Sequence, residues 1–116
     1  MANTIRSLAK NKLPLICAAF IAVSQFTANA NPESPMISQK KRTYDPGAIT
    51  IAQGSSIKII NDDIFLHHTF INDDRMEFDS GSQKKGTVIE IAFKERGVYD
   101  VLCAIHPKMK LEVTVE

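Results

Sequence analysis

From Thr43 onward, apolar and polar residues alternate in short runs, each closed by turn residues. Ile49 and Ile51 alternate with Thr50 and Ala52. Ile57 and Ile59 alternate with Lys58 and Ile60. Ile89, Ile91 and Phe93 alternate with Val88, Glu90 and Ala92. Near the end, Tyr99, Val101 and Cys103 alternate with Val98, Asp100 and Leu102, and Leu111, Val113 and Val115 with Lys110, Glu112 and Thr114. A period of two places alternate side chains on opposite faces of a strand. Thr69-Phe70-Ile71 predicts one further short strand. Asp45-Pro46-Gly47, Gln53-Gly54-Ser55, Asn61-Asp62-Asp63, Asn72-Asp73-Asp74 and Glu95-Arg96-Gly97 read as turns, and 78–86 as loop. No amphipathic helical period of useful length follows residue 30. The pattern predicts an all-β sandwich or barrel over 43–116, preceded by a flexible, polar lead-in over 31–42 that ends in a short edge strand.

One strand-to-strand connection carries unusual chemistry. Cys103, His106 and Met109 lie at C-x-x-H-x-x-M spacing, with Pro107 directly after the histidine. A bent loop of seven residues can bring thiolate, imidazole and thioether to one point. Thiolate and thioether are soft donors, and imidazole suits copper, zinc and nickel. Two imidazoles and a thiolate in a trigonal plane, with a distant methionine, make an electron-transfer copper site, whereas zinc rarely recruits methionine. A fourth donor must come from elsewhere in the chain.

His67 and His68 are the source. They point to opposite faces of a strand start, so one of the two can aim inward, and His67 is the expected ligand. Asn61 is either a turn former or a residue whose amide bridges the two ligand loops.

Residues 1–30 have the pattern of an export signal. Arg6, Lys10 and Lys12 precede an apolar run, Leu13–Val23, and Ala28-Asn29-Ala30 is a small-x-small cleavage site. The run is short of the roughly 20 residues that span a bilayer. Cleavage after Ala30 would place the mature chain in the periplasm. It would remove three of the 14 basic residues and none of the 13 acidic ones, so eleven face thirteen. That balance does not suggest nucleic acid. It would also leave Cys103 as a lone cysteine in an exported protein, where cysteines are normally paired. Metal ligation would account for it.

From about Thr43 to its end the chain resembles the small cupredoxins, the type 1 blue-copper class, and amicyanin and plastocyanin-like proteins most of all. The resemblance rests on Gly97-x-Tyr99-x-x-x-Cys103-x-x-His106-Pro107-x-Met109 and on Asn61 followed six residues later by His67. It implies a Greek-key β-sandwich of about seven to eight strands. It implies one copper ion on His67, Cys103, His106 and Met109. His68 stands where the family often has Asn or Thr, a position whose backbone N–H bonds the cysteine sulfur. His106 would be the electron port, within an apolar docking patch of Ile105, Pro107, Phe65 and Leu66. Lys108 could steer an acidic partner. The expected activity is one-electron transport by a monomer rather than an enzyme. Its partners would be redox proteins such as c-type cytochromes, a dehydrogenase or an oxidase. Copper delivery or storage with the same ligands is the alternative, though Met36 and Met76 are too few for a methionine cluster.

Overall fold

The computed structural model describes residues 33–116, with only Pro14 and Ala19 before them. The export signal expected over 1–30 therefore lies outside the described residues. Nine strands form two sheets. They are β1 (Met36–Lys40), β2 (Thr43–Asp45), β3 (Ala48–Ile51), β4 (Ser56–Asn61), β5 (Thr69–Asp73), β6 (Met76–Asp79), β7 (Val88–Ala92), β8 (Gly97–Cys103) and β9 (Lys110–Val115). One sheet runs β2-β1-β4-β7 and the other β3-β9-β8-β5-β6. Both are mixed, because β1 runs parallel to β4 and β3 parallel to β9. Among the described residues there is no helix. The chain is an all-β sandwich.

The alternation along the chain sets the core. Ile57 and Ile59 of β4, Ile91 of β7, Tyr99 and Val101 of β8, and Leu111 and Val113 of β9 are all buried. Their outward neighbours Lys58, Glu90, Asp100, Lys110 and Glu112 are half-buried or exposed. Fully burying such an aliphatic side chain stabilises the fold by about 1.5–3 kcal/mol each. Cys103 is the last inward position of β8, so the same period that builds the core carries the thiol into the interior.

Three expectations need correction. Residues 36–40, expected as a flexible lead-in ending in a short edge strand, form a full strand inside a sheet. β1 sits between β2 and β4, with Ile37 and Gln39 wholly buried. Its alternation spans only two inward positions, one of them polar, which is why it reads as a linker. Residues 76–79, of which 78 and 79 were expected as loop, pair with β5 as an edge strand, where sparse apolar content is tolerated. The strand count is therefore nine rather than seven to eight.

Candidate metal centre

Three loops meet at one end of the sandwich. The first connects β4 to β5 and carries His67. Residue 67 exchanges two backbone hydrogen bonds with Gln83, its N–H donating to Gln83 O at 3.1 Å and its carbonyl accepting from Gln83 N at 2.7 Å. The 80–87 loop thus fixes the histidine's backbone. The third loop connects β8 to β9. There Met109 N–H donates to His106 O at 2.9 Å, closing a four-residue turn with Pro107 second. Proline's fixed φ favours that place in a turn. The H-P-x-M sequence therefore closes a tight turn between His106 and Met109. Met109 is buried and His106 is half-buried.

The donors converge. Cys103 Sγ lies 3.8 Å from His67 Nδ1 and 3.8 Å from His106 Nδ1, and the two imidazole nitrogens are 3.2 Å apart. The spacing can be tested against an ion. With metal–nitrogen distances of about 2.0 Å and metal–sulfur of about 2.3 Å, these separations give N–M–S angles of about 125° and an N–M–N angle of about 105°. These angles are ones that three donors can make toward a single ion. The site fits one ion in trigonal surroundings.

The sulfur has one more contact. His68 N–H donates to Cys103 Sγ at 3.5 Å, and Ala104 N–H donates to His68 O at 2.9 Å. The backbone at position 68 makes these bonds, so the side chain there is free to vary. The His68 ring turns outward and meets Asp79 Oδ1 at 2.6 Å. Of the adjacent pair, His67 alone faces the thiol.

Sequence reasoning passed over Asp63. Its Oδ2 lies 3.1 Å from His67 Nε2, and it is buried. A carboxylate there holds the proton on Nε2 and leaves the Nδ1 lone pair pointing at the ligand cluster, the usual support for a metal-bound imidazole. Burial pushes the Asp63 carboxyl up. The Arg42 and Ile64 N–H groups and the His67 ring outweigh it and hold the carboxyl below its ordinary range. Burial likewise pushes the His67 imidazole down, against the pull of Asp63. The signal in the sequence was the four-residue spacing of Asp63 and His67, hidden in what reads as an Asn-Asp-Asp turn.

Asn61 does less than expected. Its amide nitrogen donates to Phe65 O at 2.9 Å and Gln83 O at 2.8 Å, while its oxygen accepts from Asp63 N at 2.8 Å. It ties the His67 loop to the 80–87 loop and makes no hydrogen bond to the Cys103–Met109 loop. Asn61 is the last residue of β4. A second buried cluster also escaped notice. Gln39 donates to Thr69 Oγ1 and Gln83 Oε1, Thr69 Oγ1 donates to Gln83 Oε1, and Tyr44 OH donates to Leu102 O. Thr69 is the register partner of Cys103, so this network stiffens the strand pair that carries the thiol.

Of the expected apolar patch, Phe65 stands edge-on to His106 with ring centroids 6.1 Å apart. Leu66, Ile105 and Pro107 are exposed, and so is Ile64, which was not anticipated, at 78%.

The model of the copper-binding proteins of the plastocyanin/azurin family matches residues 34–116. The chain belongs to that family. No individual curated protein matches it by sequence. Among solved structures, this cupredoxin is similar to a reduced amicyanin variant (TM-score 0.67, 23% identity, 72% of this chain and 82% of that one). It is similar to a purple cupredoxin from Nitrosopumilus maritimus (TM-score 0.64, 26% identity, 72% of this chain and all of that one). It also resembles part of a copper-containing nitrite reductase from Thermus scotoductus (TM-score 0.65, 22% identity), covering 22% of that longer chain. His67, Cys103, His106 and Met109 are arranged as a type 1 copper site.

Proposed function

We propose that this cupredoxin is a periplasmic one-electron carrier. One observation carries the reading. The donor set is closed and dry on three sides, with His67, Cys103 and Met109 buried and only His106 reaching the surface. Copper bound there supplies a one-electron Cu(II)/Cu(I) couple, for which a trigonal nitrogen–sulfur set is a compromise between the preferences of the two states. The protein's part is to hold its donors still. The Asp63 and Gln83 contacts fix His67, the His68 N–H fixes the sulfur, and the Pro107 turn fixes His106 and Met109. A rigid set needs little rearrangement when the charge changes. The exposed edge of His106 is the route outward, among Phe65, Leu66, Ile105 and Pro107.

Enzymatic turnover of a substrate at this site is disfavoured by the absence of an open ligand position. A second copper site built on three histidines would need more histidines than the given sequence has beside its first site, since its three are His67, His68 and His106. The export pattern of residues 1–30 supports the periplasm as the place of action, with c-type cytochromes, a dehydrogenase or an oxidase as partners. The test is redox cycling of the copper-loaded protein against a c-type cytochrome, run beside copper release to a Cu(I) chelator. Fast cycling with slow release is the expected result. Fast release with poor cycling would make delivery or storage the better account.

A further inference from the structure

Charge is not spread evenly over this domain. From residue 31 onward, acidic residues outnumber basic ones, thirteen to eleven. The copper end is the reverse. Its loops hold Lys41, Arg42, Lys84, Lys85 and Lys108, all exposed, against Asp62, the buried Asp63 and Asp79, which meets the His68 ring. None of the five cations lies in an ion pair with a carboxylate among the described residues.

The placement of these loops is fixed by contacts already described. Gln83 binds the His67 backbone, so Lys84 and Lys85 flank that ligand. Lys108 sits inside the His106–Met109 turn. The β1–β2 turn reaches the site through Arg42, whose N–H donates to Asp63 at 2.9 Å and whose guanidinium lies 4.2 Å over the Phe65 ring. That turn is itself informative. Lys41 and Arg42 have φ of 53° and 57°, the left-handed region that two-residue hairpin turns normally fill with Asn-Gly. The chain accepts the less favourable conformation and places two cations there.

We infer that the copper end is a docking face for an acidic redox protein, one whose own electron port is an apolar spot rimmed by carboxylates. The apolar centre around His106, made of Ile64, Phe65, Leu66 and Ile105, supplies close contact. The rim of Lys41, Arg42, Lys84, Lys85 and Lys108 supplies steering and orientation. Electrostatic complementarity of this kind raises encounter rates at low salt and suits the small, short-lived interfaces of electron transfer. The inference rests on the carrier reading and adds the class of partner to it.

The experiment uses the copper-loaded protein and two soluble c-type cytochromes, one acidic and one basic around the haem edge. Stopped-flow rates are taken at low and at physiological ionic strength. With the acidic cytochrome the second-order rate should fall about tenfold or more as salt rises. With the basic one it should start lower and not fall. The double variant Lys84→Glu/Lys85→Glu should remove most of the salt dependence with the acidic cytochrome, and Lys94→Glu at the opposite end should not. An unchanged copper spectrum in both variants shows that the site is intact. Salt-independent rates with both cytochromes, or a Lys84→Glu/Lys85→Glu rate equal to that of the parent, would overturn the docking face and leave the carrier reading standing. Failure of the parent to exchange electrons with either cytochrome would overturn both.

Discussion

Replacing Asp63 tests how the fold controls its metal. The carboxylate contacts His67 from the side away from the ligand cluster, at 3.1 Å, and it is buried. In Asp63→Ala the imidazole loses the group that fixes its tautomer and orientation. Loss of such a supporting partner typically costs 10–100-fold in metal affinity, about 1.4–2.7 kcal/mol. Asp63→Asn keeps an acceptor oxygen of similar shape but removes the charge, so its affinity loss should be smaller. Its effect should appear instead in the reduction potential. A unit negative charge roughly 7 Å across the ring from the metal, at an effective dielectric of about 20, favours the oxidised state by about 2 kcal/mol. For one electron that is on the order of 100 mV, so Asp63→Asn should be the easier protein to reduce. Competition with a copper chelator measures the first effect and protein-film voltammetry the second. An Asp63→Ala affinity within twofold of the parent, together with an unmoved potential in Asp63→Asn, would refute the assignment of Asp63 as the positioning group for His67.

Cys103→Ser should abolish the blue absorption with little loss of fold, since the change is nearly isosteric. His68→Ala should retain the absorption, because the backbone at 68 reaches the sulfur while the side chain faces Asp79; far-UV dichroism and the optical spectrum check both variants. Stability of the metal-free protein should fall in acid. Burial holds His67 below its ordinary 6.5, so the unfolded chain takes up that proton first, and stability complete above about pH 6.5 is lost as pH drops toward the folded value. Asp63 is held below its ordinary 3.8, which adds a second loss below that pH. Urea midpoints near pH 7.5, 5.5 and 3.5 should therefore descend, and a flat series would count against both burial effects.

The strands that build the core were legible because both faces are distinct. Ile57-x-Ile59, Tyr99-x-Val101-x-Cys103 and Leu111-x-Val113 alternate cleanly, and the structure buries those positions. The same period gave the orientation of Cys103, and local spacing gave His106 and Met109. β1 read as no more than a short edge strand because Gln39 at an inward position looks polar until its amide nitrogen is seen to reach Thr69 and Gln83. β6 was missed because an edge strand needs few apolar residues. Strand parity showed that only one of His67 and His68 could face the site and the family resemblance pointed to His67, but neither gave Asp63. A supporting carboxylate is defined by which ring nitrogen it meets, and that is a property of the folded loop. Of the basic rim only Lys108 was anticipated, since Lys41, Lys84 and Lys108 are far apart in sequence and meet only where three loops end together.

The most direct test of the account is the optical and paramagnetic spectrum of the protein loaded with Cu(II). A trigonal donor set containing the Cys103 thiolate should give an intense blue colour from thiolate-to-copper charge transfer and a narrow parallel copper hyperfine splitting. A pale spectrum with the wide splitting of tetragonal copper would contradict it.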